Sequence, residues 1–163
     1  MADILIKSLG NADSSSNNGS VRKDATIIVD GAPKYIGVHK KGNRSGACYL
    51  IKDLDGQSLV SIKSSGLFSS SVEFQMGDKS LAVMKPGGLL RKNPVLYLRG
   101  HEYHLPKPDP RNGHFKIEKW AFQFNDNQEM QISKPEDGKN IVALAIGYYI
   151  WTQKKDLTEP RVH

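Results

Sequence analysis

Apolar and polar residues alternate with a period of two along most of the chain, in short runs set apart by turn-forming residues. In such a run every second side chain points to the same face, so one face is buried and the other solvated. Ala25 to Val29 leads through Asp30-Gly31 to Tyr35-Ile36-Gly37-Val38. Cys48 to Lys52 and Ser58 to Lys63 flank Asp55-Gly56, whose tolerance of positive φ suits a tight hairpin. Val72, Phe74 and Met76 alternate with Ser71, Glu73 and Gln75, and Gly77-Asp78 turns the chain into Ser80 to Met84. Lys85-Pro86-Gly87-Gly88 is expected to break that strand. Further runs are Ile4 to Leu9, Val95 to Leu98, Tyr103 to Leu105, Phe115 with Ile117, Phe122 with Phe124, and Met130 with Ile132. The small polar stretch Asn11 to Ser20 reads as a loop, and the prolines of Pro106 to Pro110 argue against a central strand there. The pattern predicts roughly eleven or twelve short strands, hence a barrel or a sandwich.

One segment departs from alternation. Ile141 to Trp151 is eleven consecutive residues without a charge. Ser133 with Glu136, or Asp137 alone, offers a cap upstream, and Lys154 and Lys155 follow where cations suit a helix end. The expectation is a helix from about residue 138 to 153. A helix apolar on every side must be enclosed by protein or lipid. Eleven residues reach only ~16 Å, against ~30 Å of bilayer hydrocarbon, so protein is favoured. A barrel wider than eight strands leaves an interior that something must fill, and an axial helix fills it. The expected fold is therefore mainly β: a closed antiparallel barrel of about twelve strands around a central hydrophobic C-terminal helix.

The 163 residues suit a single domain over 1–163, with a polar loop at 11–20 and a short tail at 154–163. One cysteine excludes an internal disulfide, and the opening residues lack a secretory pattern, so a cytoplasmic protein, peripheral to a membrane at most, is expected. Residues 1–100 hold fourteen basic and eight acidic side chains, whereas 101–163 hold nine of each, so the net charge of +6 arises entirely in the first hundred residues. Such asymmetry favours anionic partners.

Motifs for catalysis are missing from the sequence. There is no Gly-x-Ser-x-Gly elbow and no Gly-x-x-x-x-Gly-Lys loop, and no cofactor is expected. His101 and His104 stand three apart in a strand pattern, which puts them on opposite faces and argues against a metal pair. Asp53 and Asp55 read as turn residues, since the ligand series of a calcium loop stops after Gly56. Cys48 reads as a buried, inert thiol. Phe115 to Trp120 reads as one strand with aromatics inward and charges outward, in preference to a base-stacking surface.

Tyr49-Leu50-Ile51-Lys52-Asp53-Leu54-Asp55-Gly56-Gln57-Ser58-Leu59, the similar hairpin from Val72 to Ala82, and the terminal apolar helix together resemble the tubby C-terminal-like superfamily, over about residues 25–153. That group includes tubby proteins, phospholipid scramblases and plant LURP-one-related proteins. The resemblance implies a twelve-stranded barrel around a hydrophobic helix and, from the tubby members, binding of phosphoinositides through basic residues. No site residue is carried over. Scramblase-like members have a cysteine cluster and an acidic calcium motif, where this chain has Cys48 alone and a mixed-charge tail, Asp156 to His163.

The candidate site follows from the basic groups themselves. Lys40, Lys41 and Arg44 form one; Arg91 and Lys92, directly after Leu89 and Leu90, form the other. Two leucines beside two cations suit the boundary of an anionic membrane. The leading expectation is a non-catalytic barrel that binds anionic phospholipid through these seven residues. The alternatives are a protein-interaction or immunity-type module that displays its loops and, less favoured, a nucleic-acid-binding barrel.

Overall fold

A computed structural model describes residues 2–8, 24–40, 48–65, 71–87, 92–105, 114–125, 129–134 and 141–152. Twelve strands and one helix follow one another: β1 (Ala2–Ser8), β2 (Ala25–Val29), β3 (Ala32–Lys40), β4 (Cys48–Asp53), β5 (Ser58–Ser65), β6 (Ser71–Met76), β7 (Lys79–Gly87), β8 (Lys92–Leu98), β9 (His101–His104), β10 (His114–Ile117), β11 (Trp120–Phe124), β12 (Met130–Lys134) and α1 (Ile141–Thr152). All strands belong to one antiparallel sheet in the order β10-β11-β12-β1-β2-β3-β4-β5-β6-β7-β8-β9. Each strand therefore pairs with its neighbours in sequence except β9 and β10, the two ends of the order, and β1 also pairs with β12, so the sheet curls into a nearly closed barrel. The mainly β fold with a single C-terminal helix is the one the alternation predicts.

Turn chemistry fixes the hairpins. Asp30 and Gly31 take φ of 52° and 83°, and Arg99 and Gly100 take 53° and 81°. Positive φ at both central residues is the geometry that matches the twist of two-residue hairpins. In the β4–β5 turn the Asp53 carboxylate accepts from the backbone N–H of Asp55 at 3.0 Å and of Gln57 at 2.9 Å. Asp53 thus acts as the turn residue expected of it.

Four local expectations are corrected. Met76 does not share the buried face of Val72 and Phe74: the register shifts between Phe74 and Gln75, and Met76 is 37% exposed. Pro86 does not end β7, because it sits in an irregularity between Lys85 and Gly87 where no ladder donor is needed, and Gly87 still pairs with Lys92. Phe115 to Trp120 is not one strand. Glu118 adopts φ of 56° and the chain turns back there, pairing Ile117 with Trp120. Ser133 cannot cap the helix, since it lies within β12 between Asp3 and Ala121. The other proposed caps fall outside the described residues.

The inward rows supply a continuous apolar core: Ile4, Ile6, Ile27, Ile51, Ile62, Phe74, Leu96, Phe122 and Ile132 are each at most 1% exposed. Ten of the twelve residues of α1 are buried, with apolar side chains all round the helix. Tyr148 lies against Gly37 of β3, Gly147 against Ile132 of β12 and Ile6 of β1, and Tyr149 packs edge-on to Tyr49 of β4 and Phe74 of β6. Contacts on such widely separated strands place the helix inside the barrel. Each large apolar side chain so buried contributes about 1.5–3 kcal/mol, which is why an uncharged helix is stable here. Among the described residues no helix is long and apolar enough to cross a membrane.

Candidate functional site

The strand order sorts the connections by end. The β2–β3, β4–β5, β6–β7, β8–β9 and β10–β11 connections, which are tight turns, all lie at one end because consecutive strands alternate in direction. The remaining connections between strands leave from and return to strand ends at the other. The tight turns carry Asp30, Asp55, Asp78 and Glu118 against Arg99 and Lys119. That excess of acid follows from turn chemistry, which favours aspartate where backbone N–H groups need an acceptor.

The strand ends that flank the candidate residues belong to the opposite end. Lys40 is the exposed last residue of β3. Lys92 opens β8 and pairs with Gly87. Lys41, Arg44, Leu89, Leu90 and Arg91 lie outside the described residues. The connections that hold them start at Lys40 and Gly87 and finish at Cys48 and Lys92, four strand ends on one rim. The two basic groups are therefore attached to the same end of the barrel.

Register adds a cation that the linear sequence hides. Lys40 pairs with Cys48, and Cys48 pairs with Lys63 of β5. Direct cross-strand partners share a face, so the outer wall beside the rim has two exposed lysines on either side of the thiol. Cys48 itself is half-buried on that wall, not sealed in the core as expected, because it is Tyr49 that points inward.

Beneath this end the barrel is plugged by aromatic rings. The backbone N–H of His39 donates to Asp24 Oδ1 at 3.1 Å, and its ring stacks on Tyr49 at 4.8 Å. Tyr49 meets Tyr148 and Tyr149 edge-on, each at 5.9 Å. Burial is the main cause that raises both helix phenols, with Asp24 and Tyr49 adding to it for Tyr148 and Tyr49 for Tyr149; Tyr149 is pushed up to about 12. Both stay neutral at ordinary pH. The Thr152 hydroxyl donates to the Tyr149 carbonyl at 2.5 Å, satisfying an acceptor in the last helical turn.

Among the described residues the barrel has an unpaired seam between β9 and β10. Side chains cross it at the tight-turn end: Tyr103 donates its hydroxyl proton to Glu118 Oε2 at 2.8 Å, and Arg99 Nη1 lies 3.6 Å from Glu118 Oε1. The hydrogen bond to Glu118 is the leading cause that raises the Tyr103 phenol. On the same edge His104 lies 3.9 Å from Glu102, and His101 tilts toward Tyr103. Among the described residues no group of three or more His, Cys, Asp or Glu is placed to hold a metal ion. The chain matches no family model, no curated protein and no solved structure.

Proposed function

We propose that this barrel is a non-catalytic domain that binds anionic phospholipid headgroups, phosphoinositides among them, through the cations at the end opposite its tight turns. The observation that carries this reading is the common end of the four strand ends flanking the Lys40-Lys41-Arg44 and Leu89-Leu90-Arg91-Lys92 groups. Exposed Lys63 adds to the same side. Acidic tight turns at the far end support an orientation, because an anionic surface repels that end and attracts the other. The enclosed helix supports a peripheral contact, since its apolar surface is already spent on the core. The likeness of the hairpins and helix to tubby-like proteins agrees with the same ligand class.

Co-sedimentation with vesicles of phosphatidylserine and phosphatidylinositol bisphosphate tests the proposal. Retention is expected at low salt and falls as salt rises, because exposed charges are screened beyond a Debye length of about 10 Å at 0.1 M. Each cation contributes about 1 kcal/mol near such a surface, so the triple variant K40A/K41A/R44A loses roughly a hundredfold in affinity and R91A/K92A roughly tenfold or more. Absence of retention at low salt removes the proposal.

A further inference from the structure

A second feature lies away from that rim. The outer wall of β10, β11 and β12 holds an open groove of about 390 Å³, lined by His114, Lys116, Ala121, Gln123, Gln131 and Ser133, with Phe115 and Phe122 in its floor. Register builds it. His114, Gln123 and Gln131 form one cross-strand row, and Lys116, Ala121 and Ser133 form another two residues along. Ala121 offers only a methyl between a lysine and a serine, so the wall dips there. The intervening row, Phe115 with Phe122, turns its rings to the core side of the sheet, stacked 4.8 Å apart and within 5° of parallel, and leaves only its backbone as the floor of the groove.

Five polar side chains thus border one depression, and among the described residues none of the five has a hydrogen-bond or ion-pair partner. Among the described residues no carboxylate lines the groove; Glu118, the acid nearest Lys116 in sequence, is engaged by Tyr103 and Arg99. The inventory is an ammonium, an imidazole, a hydroxyl and two carboxamides that both donate and accept. Such a set matches a ligand with several hydroxyls and one anionic group. The volume falls within the range of roughly 300–1,000 Å³ typical of small-molecule sites, and it suits a single sugar ring with its substituent.

We infer that this groove binds a small soluble anionic polyol of sugar-phosphate type, with Lys116 on the anionic group and Gln123, Gln131 and Ser133 on the hydroxyls. The inference is independent of the membrane reading, because the groove is on the wall and shares no residue with the rim.

Nitrogen–proton correlation NMR of the whole chain, titrated with glucose 6-phosphate, glucose and inorganic phosphate in separate series, tests it. Saturable shifts confined to β10, β11 and β12 are expected with the sugar phosphate. Glucose and phosphate alone bind at least about tenfold more weakly, since each keeps only part of the contacts. The exposed pair K116A/Q123A leaves the rest of the spectrum in place and weakens the sugar phosphate about tenfold or more. The inference is overturned by no saturable shift up to roughly 10 mM, by equal response to inorganic phosphate alone, or by unchanged affinity in the double variant. Retention on phosphoinositide vesicles separates the two sources of a phosphorylated polyol: unchanged retention of K116A/Q123A supports a soluble ligand, and lost retention assigns the groove to a lipid headgroup and overturns the soluble one.

Discussion

Tyr148 of the helix occupies the space that a side chain at Gly37 would need: a Cβ built on Gly37 lies 2.6 Å from both Cε1 and Cζ of the ring. Gly37 is buried and its backbone carries no positive φ, so the requirement for glycine here is purely steric. The wall of the barrel and its contents fit each other closely at this point.

Gly37→Ala therefore forces the fully buried ring of Tyr148 to move, and the expected loss is about 1–3 kcal/mol in urea unfolding. Adding Tyr148→Leu makes room, so the double variant loses less than the sum of the two single ones. Strict additivity would mean that helix and wall do not touch at this point.

Gly147 provides the contrasting case. A Cβ there lies 2.5 Å from Cδ1 of Ile132, the mobile end of a side chain, and alanine gains about 1 kcal/mol of helix propensity over glycine. Gly147→Ala is expected to cost under about 1 kcal/mol, clearly less than Gly37→Ala. The comparison is made by urea midpoints in a single buffer.

Much of the barrel could be read from alternation, and the failures have local causes. Val72 and Phe74 fall inward as their spacing predicts, but the shifted register after Phe74 moves Met76 out, and nothing in Gln75-Met76 signals the shift. Pro86 looks like a strand breaker because propensity ignores the irregularity that accommodates it. Glu118, a non-glycine residue at φ of 56°, hides a turn inside what reads as one strand. At the rim, charge clustering finds Lys40 but not Lys63, which joins it only through the Cys48 register. The groove residues are spread over three strands, and no linear motif unites them.

Asp53 holds its turn through two backbone N–H groups. Asp53→Ala leaves both without that acceptor and is expected to cost about 0.5–2 kcal/mol, while Asp53→Asn, which keeps one carbonyl oxygen, recovers most of it. Urea unfolding of the two variants side by side checks this. Equal losses would show that the carboxylate charge matters more than the hydrogen bonds.

Alkaline pH should unfold the barrel from within. Tyr149 titrates at about 12 in the folded protein, and Tyr148 is raised further by burial, against about 10 in an unfolded chain. Above pH ~10 the unfolded state therefore binds fewer protons than the folded one, so stability present below that pH is lost as pH rises. The decline is up to about 1 kcal/mol per pH unit for each phenol, and Tyr149→Phe makes it shallower. Unfolding midpoints followed between about pH 9 and pH 11.5 give the slope.

The seam has its own signature. Glu118→Gln exchanges the carboxylate that accepts the Tyr103 hydroxyl proton, and whose charge adds to the effect, for a neutral and weaker acceptor, so the Tyr103 ring, followed by carbon-labelled NMR, titrates at lower pH than in the native chain. Backbone amides of β9 exchange faster in the variant, because Arg99, Tyr103 and Glu118 carry polar links across the unpaired edge. Unchanged β9 protection would show that the edge is held by other contacts.

The barrel encloses α1, leaving rim and wall to meet a ligand. Thiol labelling tests this enclosure most directly, since Cys48 is the single cysteine and Ala145 is fully buried on the helix. In the C48S/A145C variant, a thiol reagent should fail to label Cys at this position in native buffer and label it fully in denaturant. Labelling in native buffer as fast as Cys48 is labelled in the unaltered chain would contradict the account.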